Sequence, residues 1–107
     1  MMAQFQQTVA TFVRENELEA PVHARVLDLV SEVGELAKEV LKITNYGHEP
    51  FHPSEEWSGE LADILYSLTC IANSTGVDLE TALKQALDKY EGRLARRGDA
   101  GSGPPKL

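Results

Sequence analysis

Apolar residues recur at three- and four-residue spacing along almost the whole of this 107-residue chain, and nowhere do they alternate over the length of a strand. That periodicity restricts the chain to helices packed on helices. The first segment runs roughly from Ala3 to Asn16 and carries Phe5, Val9, Phe12 and Val13 on one side. The second opens at Pro21, a residue suited to a first helical turn. It carries Val22, Val26, Val30, Val33, Leu36, Ala37, Val40 and Leu41, and stops near Asn45-Tyr46-Gly47. Two prolines, Pro50 and Pro53, forbid regular helix in the loop that follows. The spacing predicts a third helix from about Ser54, read as its N-cap, to Gly76 as a left-handed terminator. Asp78 is placed to cap a fourth helix that ends at Gly98.

The expected fold is therefore all-α, a four-helix antiparallel bundle-like chain. So short a chain buries a thin core, and dimerisation or tetramerisation is expected to complete it. Residues 1–97 form the expected domain and residues 98–107, rich in Gly and Pro, an expected disordered tail. The N-terminus lacks a basic, then apolar, leader, and no apolar run is long enough to span a membrane. The single cysteine, Cys70, cannot form an intrachain disulfide and reads as a small buried residue. A cytoplasmic protein is the expectation.

Net charge is −7, which argues against duplex nucleic acid as a partner. The charge is unevenly distributed. Up to Leu83 the balance is −10, and from Lys84 onward it is +3. The acids cluster in the two middle helices as Glu32-Val33-Gly34-Glu35, followed by Glu39, and as Glu60-Leu61-Ala62-Asp63. At about 100° per residue, Glu32, Glu35 and Glu39 fall within a stripe of roughly 60°, with the apolar stripe centred roughly 110° further round. Glu56, Glu60 and Asp63 repeat this geometry on the third helix. If the two helices pack antiparallel through their apolar stripes, the acidic stripes meet at the edge of the seam. Facing carboxylates repel, and a divalent cation removes that cost. An all-oxygen set suits hard ions, Mg²⁺ or Mn²⁺, which also bridge to phosphates. Gly34 lies between two of the acids at a cost of about 1 kcal/mol relative to alanine, which points to close approach of another backbone or a ligand.

On these residues the sequence resembles the MazG-like nucleoside triphosphate pyrophosphohydrolases of the all-α NTP pyrophosphatase superfamily. The shared pattern is Glu-x-x-Glu, a gap, then Glu-x-x-Asp, here Glu32/Glu35 and Glu60/Asp63. The surrounding Ser31-Glu32-Val33-Gly34-Glu35-Leu36-Ala37, Gly59-Glu60-Leu61-Ala62-Asp63-Ile64-Leu65 and Gly76-Val77-Asp78-Leu79 match too. The resemblance covers roughly Phe12 to Arg97. It implies Mg²⁺-dependent hydrolysis of (deoxy)nucleoside triphosphates to monophosphate and pyrophosphate, as house-cleaning of unwanted nucleotides. It implies that Glu32, Glu35, Glu60 and Asp63 bind the metal and form the catalytic set. It also implies a homodimer or homotetramer. Lys89, Arg93 and Arg96 lie along one stripe of the fourth helix, and Lys89-Tyr90-Glu91-Gly92-Arg93-Leu94 resembles the family stretch whose basic residues meet the triphosphate. Tyr66 and Trp57 are candidates to stack on the base, and Tyr46 and Phe51 are loop candidates to cover it. Lys84-Gln85-Ala86-Leu87 lacks an asparagine that many members carry there, and Arg14-Glu15 is followed by Asn16-Glu17 without a tryptophan. Base preference is left open by both departures. The alternative reading is a non-catalytic helical oligomerisation or regulatory module that retains the fold.

Overall fold

A computed structural model describes residues 2–101. Four helices account for its regular structure: α1 (Gln4–Glu15), α2 (Val22–Ile43), α3 (Trp57–Ser74) and α4 (Leu79–Arg97). No strand occurs among the described residues. The all-α reading holds, and so do the helix boundaries to within a few residues. Residues 102–107 of the expected tail lie outside the described residues. Its first residues turn back on α4, where Arg93 donates to the Ala100 carbonyl and Arg97 to that of Gly101.

Left-handed residues end all four helices, α4 at Gly98 with φ +82°. After α3, the Val77 N–H donates to the Ala72 carbonyl at 2.9 Å and the Gly76 N–H to that of Asn73 at 3.4 Å, with Gly76 at φ +70°. This is the paired-bond terminator for which glycine is suited, at the expected residue. The same two-bond pattern closes α1 around Glu17 and α2 around Asn45. Past α2 the backbone stays left-handed for three residues, Asn45 (+47°), Tyr46 (+57°) and Gly47 (+89°). A left-handed L-residue costs roughly 1–2 kcal/mol, so Tyr46 is strained. The turn is held by Gly47 N–H donating to Thr44 Oγ1 and Glu49 N–H to the Thr44 carbonyl.

Helix α3 is the centre of the chain, with α2 on one side and α1 on the other. Glu39 of α2 meets Ser54, just ahead of α3, whereas Glu32 meets Asp63 within it. The two helices are therefore antiparallel, the arrangement expected for the bundle. Likewise Phe12 meets Tyr66 and Gln6 meets Asn73, so α1 is antiparallel to α3. The fully buried side chains at the α1–α3 contact are polar, Gln6 and Thr69. Gln6 donates to the Val77 carbonyl at 2.8 Å and to Asn73 Oδ1 at 3.1 Å, and accepts from the Leu79 N–H at 2.7 Å. It thus ties the end of α3 and the start of α4 to α1.

Asp78 stands at the N-cap of α4 as expected, but its carboxylate is engaged by the Thr81 hydroxyl and the Ala3 N–H. The Thr81 bond holds its pKa below the ordinary value, with the backbone donors acting in the same sense. Ser54 does not cap α3. The helix begins at Trp57, and the Ser54 hydroxyl donates instead to Glu39 Oε1 at 3.1 Å. The capping preference of serine was outcompeted by a carboxylate that tertiary packing brought within reach.

Beyond the α1–α3–α2 layer, α4 packs extensively on no other helix and buries none of its residues. The chain measures 52 × 38 × 23 Å with a radius of gyration of 17.3 Å, against about 13 Å for a compact domain of this size. Large apolar side chains are exposed on every helix, including Leu27, Val30, Leu65, Leu83 and Leu94. Fully buried apolar side chains are limited to Cys70 and Ala72 among the described residues.

Candidate metal centre

The acid pairs lie where the α2–α3 seam brings them together. Antiparallel packing sets the middle of α2 beside the first two turns of α3. Carboxylate oxygens of Glu32, Glu60 and Asp63 approach within 4.8 Å of one another, Glu32 and Glu60 half-buried and Asp63 exposed. Three anions at this separation repel, and no lysine or arginine forms an ion pair with them among the described residues. The strain shows in Glu60. Partial burial, then Asp63, Glu35, Glu39 and Glu32 in that order, push its pKa above the ordinary 4.5. An oxygen-only, half-buried set of this kind fits a hard divalent cation and leaves positions for water or phosphate oxygens.

Of the four expected carboxylates, Glu35 stands apart. It is exposed and 3.7 Å from Lys38, and it acts on Glu60 at longer range. Glu39, on the same stripe, is held by Ser54. Glu56 precedes α3 and does not join the cluster. Gly34 faces open space within the chain, since a Cβ there would meet nothing within 4 Å. No neighbouring backbone among the described residues therefore accounts for this glycine.

The remaining candidates are dispersed. Trp57 is half-buried against Phe51, ring centroids 4.9 Å apart, so these two aromatics pack on each other. Tyr66 faces α1, edge-on to Phe12 at 6.3 Å, with the buried Arg25 guanidinium 5.9 Å from its ring centre. Burial and then Cys70 push its hydroxyl pKa up, partly offset by Arg25. Lys89 and Arg93 flank Tyr90 on α4, while Arg96 folds back over Gly92. None of the three basic residues pairs with the carboxylates within one chain. The cations placed beside the acidic stripe are instead Lys38 and Lys42, which line a groove with Glu35, Glu39, Leu41, Asn45 and Tyr46. Sequence reading passed over both lysines, although each lies three residues after a glutamate of the stripe and so shares its side of the helix.

Glu60 gives the metal-free protein a pH signature. Because its pKa is raised on folding, the folded chain keeps a proton that the unfolded chain has released. Its stabilising contribution is present below 4.5 and fades as pH rises through the raised value. In chelator, melting temperature is expected to fall across that window, and Glu60→Gln to flatten the slope. An unchanged slope in the variant would assign the effect to other groups.

Fold and site together define an all-α protein built around a carboxylate centre suited to a hard divalent cation. Comparison with known proteins gives the family. Residues 22–97 match the sequence model of the MazG nucleotide pyrophosphohydrolase domain, and the chain belongs to that family. It is also similar to YpjD of Bacillus subtilis (strain 168), a protein described as uncharacterized, with 36% identity over 73 residues. That match covers 65% of this chain and 64% of YpjD, so the similarity spans just under two thirds of the relative's length. No solved structure gives a match. No helix among the described residues is long and apolar enough to cross a membrane.

Proposed function

We propose that residues 1–97 form a cytoplasmic nucleoside triphosphate pyrophosphohydrolase, which removes unwanted (deoxy)nucleotides by cleaving them to monophosphate and pyrophosphate. The observation that carries this reading is the convergence of Glu32, Glu60 and Asp63 within 4.8 Å in a chain of this family. Those three carboxylates would hold Mg²⁺, with Mn²⁺ as substitute, and Glu35 would extend the set at its open edge. When bound, the cation neutralises phosphate oxygens and acidifies a water. The carboxylates fix where the α-phosphate rests. A water oxygen bonds to the α-phosphorus as the bond to the bridging oxygen breaks, the water gives up a proton to solvent, and pyrophosphate departs with the bridging oxygen.

The same proposal includes a homo-oligomer, dimer or tetramer. Val30 and Val33 are 63% and 48% exposed beside the open Gly34 surface, and α4 packs extensively on no other helix. A second copy would cover these faces. It would also bring the basic stripe of α4, Lys89, Arg93 and Arg96, to an acidic centre that lacks these cations within one chain. Sedimentation at the 11.8 kDa monomer mass would count against it.

Product analysis tests the activity. With Mg²⁺ and each ribo- and deoxynucleoside triphosphate, monophosphate and pyrophosphate are expected in equal amounts. Diphosphate and orthophosphate would place the cut at the wrong bond. No turnover with Mg²⁺ or Mn²⁺ would favour the non-catalytic module.

A further inference from the structure

We propose that Tyr46 is the platform on which the nucleobase stacks, at the far end of the groove that leads from the carboxylates along α2. The inference rests on the nucleotide reading above and names the group that would recognise the base. Glu35 and Glu39 line the groove and follow Glu32 on the same stripe of α2, about one and two turns on, so the groove begins beside the metal centre. From Glu35 to Ile43, where α2 ends and the turn that carries Tyr46 begins, the helix advances eight residues, roughly 12 Å at 1.5 Å per residue. That is the scale of a nucleoside monophosphate laid along the helix.

The lining selects between the two ends of a nucleotide. Glu35, Glu39, Lys38 and Lys42 carry two negative and two positive charges, which cancel, and Glu35 and Lys38 are already 3.7 Å apart. A neutral groove offers little to a polyphosphate arm. With the Leu41 side chain and the apolar stems of the lysines, it suits a planar, uncharged base. At its end Tyr46 is 75% exposed and makes no ring contact among the described residues. Phe51, Trp57 and Tyr66 already face aromatic neighbours within the chain. The left-handed backbone from Asn45 to Gly47, held by Thr44, keeps the ring at the rim although a β-carbon is disfavoured there.

The test is calorimetric titration, in Mg²⁺, with a nucleoside triphosphate whose α,β-bridging oxygen is replaced by methylene, since binding then needs no turnover. Tyr46→Gly removes the ring and relieves the left-handed strain together, so an unfolded variant is not the expected outcome. It is expected to bind the analogue roughly five- to a hundredfold more weakly, the range of base–aromatic stacking. Tyr46→Phe keeps the π-face and is expected to stay within about twofold of the wild type. Inorganic triphosphate, which has no base, should bind wild type and Tyr46→Gly alike. Equal analogue affinity for the two proteins overturns the stacking role, as does an equal loss for inorganic triphosphate or failure of the wild type to bind the analogue. A wild type that binds the analogue with this Tyr46 dependence but hydrolyses no nucleotide keeps the stacking and removes only the hydrolytic reading.

Discussion

Asp63→Asn is expected to lower turnover by about a thousandfold or more while leaving the melting temperature of the metal-free protein unchanged or slightly raised. A metal in such a site supplies several kcal/mol of transition-state charge stabilisation, and each 1.36 kcal/mol is a factor of ten in rate. Asp63 is exposed, accepts no hydrogen bond from the protein among the described residues, and adds to the repulsion that raises the Glu60 pKa. Its removal therefore relieves the fold. A side chain kept for packing would give the opposite pair of results, lost stability with retained rate. Full activity of Asp63→Asn would take this carboxylate out of the centre.

The second large effect concerns stability. Gln6→Ala is expected to cost roughly 3 kcal/mol, because it leaves the partly buried Val77 carbonyl, Leu79 N–H and Asn73 Oδ1 short of a partner, at about 1 kcal/mol each, the low end for such groups. Against a total of about 5–15 kcal/mol for a small domain, that is a large share. Melting temperature should fall by more than about 10 °C. Gln7→Ala is the control. Gln7 is exposed and bonds only the Met2 carbonyl, so its loss should stay within about 0.5 kcal/mol. Equal effects of the two substitutions would mean that the Gln6 network carries no special weight.

Much of this protein could be read from the order of its residues. The periodic apolar positions of α2 and α3, the glycines at positions 76 and 98 and the prolines between the middle helices set four helices and their ends. Both acidic pairs were visible for the same reason, since spacing of three and four on a helix fixes which residues share a side. These are local properties, set by the pitch of the helix and the dihedral preferences of single residues.

Relations between helices were decided only by the tertiary structure. Register along the α2–α3 seam brought Glu32, Glu60 and Asp63 together and left Glu35 beside Lys38. It turned Ser54 away from its cap toward Glu39. Gln6 is a polar residue of an amphipathic helix, yet it is fully buried, where it supplies hydrogen-bond partners to the α3–α4 turn. The standing-off of α4 was likewise invisible, since its sequence carries an apolar stripe whether or not its own chain covers it. Helical period determines which side chains point the same way, whereas which surfaces meet depends on how apolar area and polar partners are shared across the whole assembly.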